Sequence, residues 1–543
     1  MEELIKSLGR PGKFQILLTA LLCPNLVLVC WNHLGMAFFA ARTKHHCFVK
    51  NSSDINYLVP TINTNGKQEW DGCKLYAEYN SSKKVECPNG WTYYHTGRER
   101  TIISEWDLVC DDAYKANLAI TIYFIGVTLG GVIFGTLSDK FGRKRIVILT
   151  TLSIPLIGVI LFFMKNYIAF VLLRLILGSF VQGLQMTSFL VCMELLAVQY
   201  RSLVGILYTS FWPVGVMSLS LVSYLIQDWR YIQLLTTLGP LLQIGTILFL
   251  PESIRWLLLN GRSEDAKQVI QRISTFNKQP FPEDEFNEAV EHRKKLEGNA
   301  EKSYTIVDLL RYSVLRKRSI ILAVTWFSTA FGYYGLALNV SSLAGNKYLN
   351  SFISGLLEFA VKWLITYYII VKFGRQKPLS CYAILGGITC ILAGVLSKDT
   401  DALRKLATAL ALCGRICIAG IWSVIMIYTS ELYPTEIRNV GLGAGIFWAR
   451  IGSIVAPQLS LLGKMTQDYV PFIIFGSCVL LTGILALSLP ETLNMRLAET
   501  IEEAGVFEKA TGSSRGESSD NKNEMYDLER LKNPEVEKLC SKS

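Results

Sequence analysis

The chain is predicted to be an all-α membrane protein with twelve transmembrane helices in two pseudo-symmetric six-helix bundles. Of its 543 residues, 51% are hydrophobic and only 18% are charged, giving a mean hydropathy of +0.32. The apolar residues fall into runs of about twenty, the length that crosses a ~30 Å hydrocarbon core as a helix. Markers also recur along the chain. SDKFGRKR (138–145) is echoed by VKFGRQKP (371–378), and Glu194, seven residues before Arg201, is echoed by Glu431, seven before Arg438. Pro251-Glu252-Ser253 is echoed by Pro490-Glu491-Thr492. The offsets are 232 (from 142 to 374), 237 (194 to 431) and 239 (251 to 490). A nearly constant offset means two related halves in one orientation, the plan of carriers that hold a site between repeats at mid-membrane.

In order, the spans are expected at 15–41, 115–137, 146–164, 167–191, 203–226, 231–250, 319–339, 349–371, 378–396, 403–428, 440–463 and 469–489. The organisation that follows is a cytosolic N-terminus (1–14) and a first bundle (15–250) that includes an extracellular loop (42–114). A cytosolic central loop (251–318), a second bundle (319–489) and a partly disordered cytosolic tail (490–543) complete it. The first apolar stretch is too long for a signal h-region and lacks a small-residue cleavage site, so it reads as a retained helix. An even number of spans puts both termini in the cytosol. The central loop is dense in Arg, Lys, Glu and Asp and reads as short amphipathic helices on the cytosolic membrane face.

The loop 42–114 holds Cys47, Cys73, Cys87 and Cys110 and the sequons Asn51-Ser-Ser and Asn80-Ser-Ser. An even cysteine set beside glycosylation acceptors signals an oxidising, extracellular compartment, and four cysteines leave three pairings open. The other nine cysteines have no metal-like spacing and read as apolar filler. The net charge of +10 lies in short loops between spans. Positive-inside topology explains it without nucleic acid. Neither a nucleotide-binding glycine loop nor a nucleophile–base constellation is present, so the reading is a secondary transporter, not an enzyme, with no cofactor or metal.

The charges inside the spans set the substrate. Arg450 falls about ten residues into its span, roughly 15 Å deep at ~1.5 Å per residue. A permanently charged guanidinium there is costly in lipid and should face a cavity that admits an anion. Glu358 and Lys362 lie four residues apart on one helix face. If Glu358 offsets one cation, a single positive charge is left at mid-depth; alternatively, Lys362 and Glu358 form an ion pair that only fixes packing. Arg174 and Arg415 recur at equivalent places in both halves, which favours packing for them. Phe211, Trp212, Trp326, Phe331, Tyr333, Tyr334, Trp363, Tyr367, Trp422 and Met426 supply rings and a thioether for flat, varied solutes. Asn32 and His33 are candidate hydrogen-bond partners.

These residues carry a family resemblance over essentially the whole chain. The cysteine-rich loop ending EWDLVCD (105–111), SDKFGRKR, PESIRWLL (251–258), YYGL (333–336) and ELYPTEIR (431–438) resemble the organic ion transporters of the solute carrier 22 family, within the major facilitator superfamily. The resemblance implies the major facilitator fold, the plasma membrane, and a cytosolic gate of Asp139, Arg143, Glu194, Arg201, Arg375, Glu431 and Arg438. It places Tyr334, Trp212, Trp422 and Met426 near the cavity. In its anion-carrying branch a Lys in span 8 and an Arg in A-R-x-G-S of span 11 handle the anion, and Lys362 and Arg450 in ARIGS (449–453) match both. A small amphiphilic organic anion, with broad specificity, is the substrate implied, in exchange for a counter-anion such as a dicarboxylate or by facilitated diffusion.

Two departures stand beside the match. Asn439 replaces the Gln frequent in the anion branch and is shared with cation, carnitine and zwitterion carriers, which keeps those as the alternative. EFAVK lacks the Pro common before the Lys, so span 8 is expected to lose a kink. A membrane receptor or scaffold that uses the cross-linked loop is the reading from another class.

Overall fold

A computed structural model describes residues 2–7, 12–41, 43–50, 55–64, 67–77, 82–94, 99–296, 304–340, 343–396, 400–467, 469–493 and 501. Among them, ten helices are long and apolar enough to cross a membrane, and Val470–Ala486 is a shorter apolar helix. The expected tail lies almost wholly outside the described residues, as do the sequon residues Asn51 and Asn80.

The chain begins with α1 (Glu2–Ser7). The first expected span is broken by Pro24 and Gly35 into α2 (Lys13–Leu22), α3 (Asn25–Leu34) and α4 (Met36–Phe39). The loop that follows carries the short helices α5 (Ile55–Leu58) and α6 (Ile102–Glu105). It also holds β1 (Lys44–Cys47), β2 (Thr61–Thr64), β3 (Lys67–Trp70), β4 (Lys74–Tyr76), β5 (Lys84–Glu86) and β6 (Trp91–Tyr94). These strands pair antiparallel as β1 with β6, β2 with β3 and β4 with β5. Disulfides join Cys47 to Cys87 and Cys73 to Cys110, closing separations of 40 and 37 residues.

Next come α7 (Ala113–Phe141), α8 (Arg143–Phe163), α9 (Tyr167–Glu194), α10 (Val198–Ile226), α11 (Trp229–Leu238) and α12 (Ile244–Phe249). The expected span 231–250 is thus two helices joined by a 3-10 turn, Gly239–Gln243, because Pro240 has no amide proton to continue the α ladder. The second set is α17 (Ser313–Leu338), α18 (Lys347–Ala360), α19 (Tyr367–Phe373), α20 (Gln376–Leu396), α21 (Asp401–Leu432), α22 (Arg438–Met465) and α23 (Val470–Ala486). Side-chain caps start several of these helices: Asn166 accepts from the amides of Ile168 and Ala169, and Asn346 from Tyr348 and Leu349. Most helices overrun their expected ends, since polar residues such as Lys140 and Asp139 continue a helix past the membrane.

Packing repeats between the sets. α8 packs on α9 and α11 as α20 packs on α21 and α23, and α3 packs on α10 as α17 packs on α22. The two sets meet where α7 lies against α22 and α10 against α18. Small residues permit the closest approaches. A Cβ on Gly126 would come within 2.0 Å of the Leu175 carbonyl oxygen, so α7 and α9 touch backbone to backbone.

The central segment departs from the expected surface helices. It folds as α13 (Ile254–Leu259), α14 (Ser263–Asn277), α15 (Glu283–Leu296) and α16 (Ile306–Arg311). α14 buries Ala266, Ile270 and Ile273 against α13 and α2, and Asn277 accepts from the Phe14 amide while donating to Gln15. Its apolar stripe therefore faces protein, not lipid. Among the described residues, α13 and α14 each leave one large apolar side chain exposed, Leu259 and Phe276, whereas α16 exposes Ile306, Val307 and Leu310.

Candidate functional site

Lys362 sits where α18 stops being an α-helix. Residues Val361–Thr366 form a π-turn, the irregularity that the missing Pro was expected to remove. The extra residue per turn breaks the regular ladder without proline. From there the Lys362 ammonium donates to the Thr209 carbonyl oxygen at 3.0 Å, crossing to α10. That carbonyl is free for a reason legible in α10: its helical partner would be the amide four residues on, and position 213 is proline.

Arg450 makes the second crossing. From α22 its Nη2 donates to Gln182 Oε1 on α9 at 2.9 Å. A third crossing runs from α10 through α17 to α18. The Trp212 indole donates to the Tyr333 hydroxyl at 2.6 Å, and that hydroxyl donates to the Glu358 carboxylate at 3.0 Å. Glu358 is buried, 5% exposed. Arg415 lies over the Tyr333 ring, 5.4 Å from its centroid, the ring whose hydroxyl donates to Glu358. Among the described residues no ion pair joins Glu358 to Lys362; the Tyr333 hydroxyl is the partner of the Glu358 carboxylate. Arg174, fully buried, stacks on Tyr123 at 4.3 Å, and among the described residues no carboxylate pairs with it.

Among the described residues the charges that meet inside the helix sets are therefore Arg174, Arg415, Lys362 and Arg450 against the carboxylate of Glu358. Lys362 and Arg450 remain partly exposed, and among the described residues no carboxylate pairs with either. Around them Tyr334 packs edge-on to Phe124 at 4.8 Å, and His33 packs edge-on to Trp212 at 5.8 Å while meeting the Val29 carbonyl and the Tyr123 hydroxyl. Trp422 stands against Trp326 at 5.5 Å; Met426, one turn further, is exposed on the same face. Asn32 is turned away, its amide committed to the Leu28 and Thr236 carbonyls.

The gate motifs pair inside each set. Arg143 reaches Asp139 at 3.0 Å and Glu194 at 3.2 Å, and Arg375 reaches Glu431 at 3.0 Å. Arg201 binds the Leu196 carbonyl and Arg438 the Thr435 hydroxyl. Among the described residues none of the seven bridges the two sets. Glu252 and Glu491, noted in the sequence only as repeat markers, cap helix starts. Glu252 accepts the Arg143 and Lys144 amides at 2.8 and 3.2 Å, and Glu491 those of Arg375 and Gln376 at 2.8 and 3.1 Å. Gly142 and Gly374 make room with φ of +98° and +86°. A Cβ would come within 2.3 Å of the Glu252 carboxylate or 2.4 Å of that of Glu491.

At the other end, on the disulfide side, the sets do touch. Lys347 pairs with Glu99, and Tyr348 stacks on Phe38 at 5.6 Å. His45 lies beside Cys73 and Cys110, but those sulfurs form a disulfide and offer no thiolate to a metal.

Sequence reasoning missed Gln182, the Thr209 carbonyl, the role of Arg415 and the two capping glutamates. A glutamine in an apolar helix and a proline four residues beyond Thr209 were the available signals.

The sugar (and other) transporter family profile matches residues 36–504. Organic anion transporter 3 of Sus scrofa is 34% identical over 92% of this chain and 93% of its own. Organic cation/carnitine transporter 2 of Homo sapiens is 30% identical over 92% and 93%. The inward open conformation of the xylose transporter XylE from E. coli superposes with a TM-score of 0.64 at 16% identity, covering 91% of this chain and 99% of that one. Apolar helices around a charged seam and this set of relatives define a membrane transporter of the major facilitator superfamily. Within that superfamily the chain belongs to the solute carrier 22 family.

Proposed function

We propose that the protein is a plasma-membrane carrier of amphiphilic organic anions, with twelve spans in two six-helix bundles and both termini cytosolic. The observation that carries this reading is the imbalance of the seam: four interior cations against one carboxylate, with Lys362 and Arg450 held only by neutral oxygens. A carboxylate or sulfonate guest replaces a carbonyl or an amide with a charge-assisted partner, a gain of about 1.5–3 kcal/mol per contact. Tyr334, Tyr333, Trp212, Trp422, Met426 and His33 then supply ring and thioether surface for its apolar part. Several relatives described as organic anion transporters agree with it.

Transport follows from alternate closure of the two ends. Lys347–Glu99 and the Phe38–Tyr348 stack hold the outer side, while the gate charges, paired within each bundle, leave the cytosolic side unlatched. Swinging Glu194, Glu431, Arg201 and Arg438 across the seam is the reverse step.

The second reading, a cation, carnitine or other zwitterion carrier, is favoured by Glu358 and by relatives described as cation or cation/carnitine transporters. Uptake of labelled para-aminohippurate, carnitine and tetraethylammonium into vesicles containing the protein separates the two. Saturable para-aminohippurate uptake that falls about ten- to hundredfold in Arg450→Ala and Lys362→Ala supports the anion reading. Saturable uptake of tetraethylammonium alone overturns it, and uptake of none of the three points to a receptor or scaffold.

A further inference from the structure

Among the described residues of the central segment, α16 exposes the largest share of its apolar side chains. Its buried side holds a single residue, Leu309, against α17 and α22. Ile306, Val307 and Leu310 are 58%, 71% and 50% exposed. Arg311 ends this helix, and Arg316 and Lys317 follow on the first turn of α17; all three are exposed. Among the described residues none of the three forms an ion pair. Three apolar side chains beside three exposed cations, against the one carboxylate of Asp308 on α16, stand at the point where a membrane-spanning helix begins and match the water–lipid boundary of a leaflet with negative headgroups. A soluble protein partner would leave those cations without a reason to border the span.

The segment is also tied to the turn between α21 and α22 that carries the gate residues. The Tyr304 hydroxyl donates to Glu436 at 2.9 Å, Arg318 donates to the Leu432 carbonyl at 3.1 Å, and the Tyr433 hydroxyl donates to Ser319 at 2.9 Å. All three attachments fall within 432–436, between Glu431, which pairs with Arg375, and Arg438.

We propose that α16 and the start of α17 form a binding surface for anionic phospholipid of the cytosolic leaflet, through which headgroup charge biases the 431–438 gate turn. The inference rests on the membrane orientation given above but not on which solute is carried. Ile306, Val307 and Leu310 enter the acyl boundary while Arg311, Arg316 and Lys317 meet phosphate, and the leaflet's grip on α16 is passed to the gate turn through Tyr304, Arg318 and Ser319.

The test is lipid binding by the purified full-length protein, followed by native mass spectrometry with phosphatidylserine, phosphatidylcholine or inorganic phosphate, and by hydrogen exchange in nanodiscs of the two lipids. Phosphatidylserine is expected to be retained in preference to phosphatidylcholine and to slow exchange in both 304–320 and 431–438. Arg311→Gln, Arg316→Gln and Lys317→Gln together should weaken that preference, by about fivefold for each charge. Val307→Ser, which keeps every charge, should weaken binding of both lipids. Equal retention of the two lipids by the native protein overturns the proposal, as does a preference that the triple variant retains. Protection of the segments by inorganic phosphate alone would assign the site to a free anion, and protection of 304–320 without 431–438 would remove the link to the gate. Because none of these readouts uses a transported solute, an incorrect substrate class leaves the outcome unaffected.

Discussion

The Lys362 ammonium lies 3.0 Å from the main-chain oxygen of Thr209, the carbonyl that Pro213 leaves without a helical partner. A cation on one side of the seam is thus parked on a backbone defect of the other. Its partner is neutral, fixed by the chain itself, and weaker than a carboxylate guest.

Pro213→Ala supplies the missing amide and lets Thr209 bond within α10. Lys362 then loses its resting partner, and the apparent affinity for para-aminohippurate is expected to rise a few-fold. Uptake kinetics against concentration decide the matter, and an unchanged KM means that the carbonyl does not compete with the guest.

Glu358 and Arg415 form the buried part of the group around Tyr333. Removing the carboxylate alone in Glu358→Ala strands a buried guanidinium, a loss of roughly 3–5 kcal/mol. Thermal unfolding of the purified protein should show a lowered midpoint. The double variant Glu358→Gln/Arg415→Met, which removes both charges, should unfold at a higher temperature than Glu358→Ala; additive losses would separate the two residues.

Gly142→Ala and Gly374→Ala each place a methyl group against a capping carboxylate at positive φ. Strain of about 1–3 kcal/mol is expected at each site, together with displacement of Glu252 or Glu491 from the helix start. The two substitutions should give similar losses of thermal stability because the geometry is duplicated. A neutral result at either glycine would mean that the cap shifts freely.

His46 in the cross-linked loop is buried and stacked on Tyr94, and burial, then the charge of His45, holds its imidazole below the ordinary value of 6.5. Above 6.5 the folded and unfolded loop are both neutral at this position and no pH dependence arises from it. As the pH falls below 6.5 the unfolded form takes up the proton first, so the loop loses stability. Limited proteolysis of the loop should accelerate on acidification in the native protein and less so in His46→Gln. Equal acceleration in both would assign the effect to other groups.

Legibility in the sequence followed sequence distance. Apolar runs gave the helices, and the echoed Gly-Arg, Glu-to-Arg and Pro-Glu markers gave the repetition, because each is local. Arg450 stood out because one charge in an apolar helix needs no partner to be noticed. Gln182, 268 residues away, could not be assigned to it, since no periodicity links residues in different helices. The break in the α ladder at Lys362 has no sequence signature, because a π-turn at Val361–Thr366 supplies it without proline. Arg415 was read as packing from its recurrence alone. It does pack, on Tyr333, and the same stacking sets it beside Glu358.

The cross-linked loop has a mechanical consequence. Cys73–Cys110 fastens it just before α7, so it travels as ballast on the first body, while Glu99 hooks it to Lys347 on the second. Under the orientation and the alternating closure proposed above, a bulky molecule that grips the loop would act as a brake or a wedge on that motion without entering the membrane.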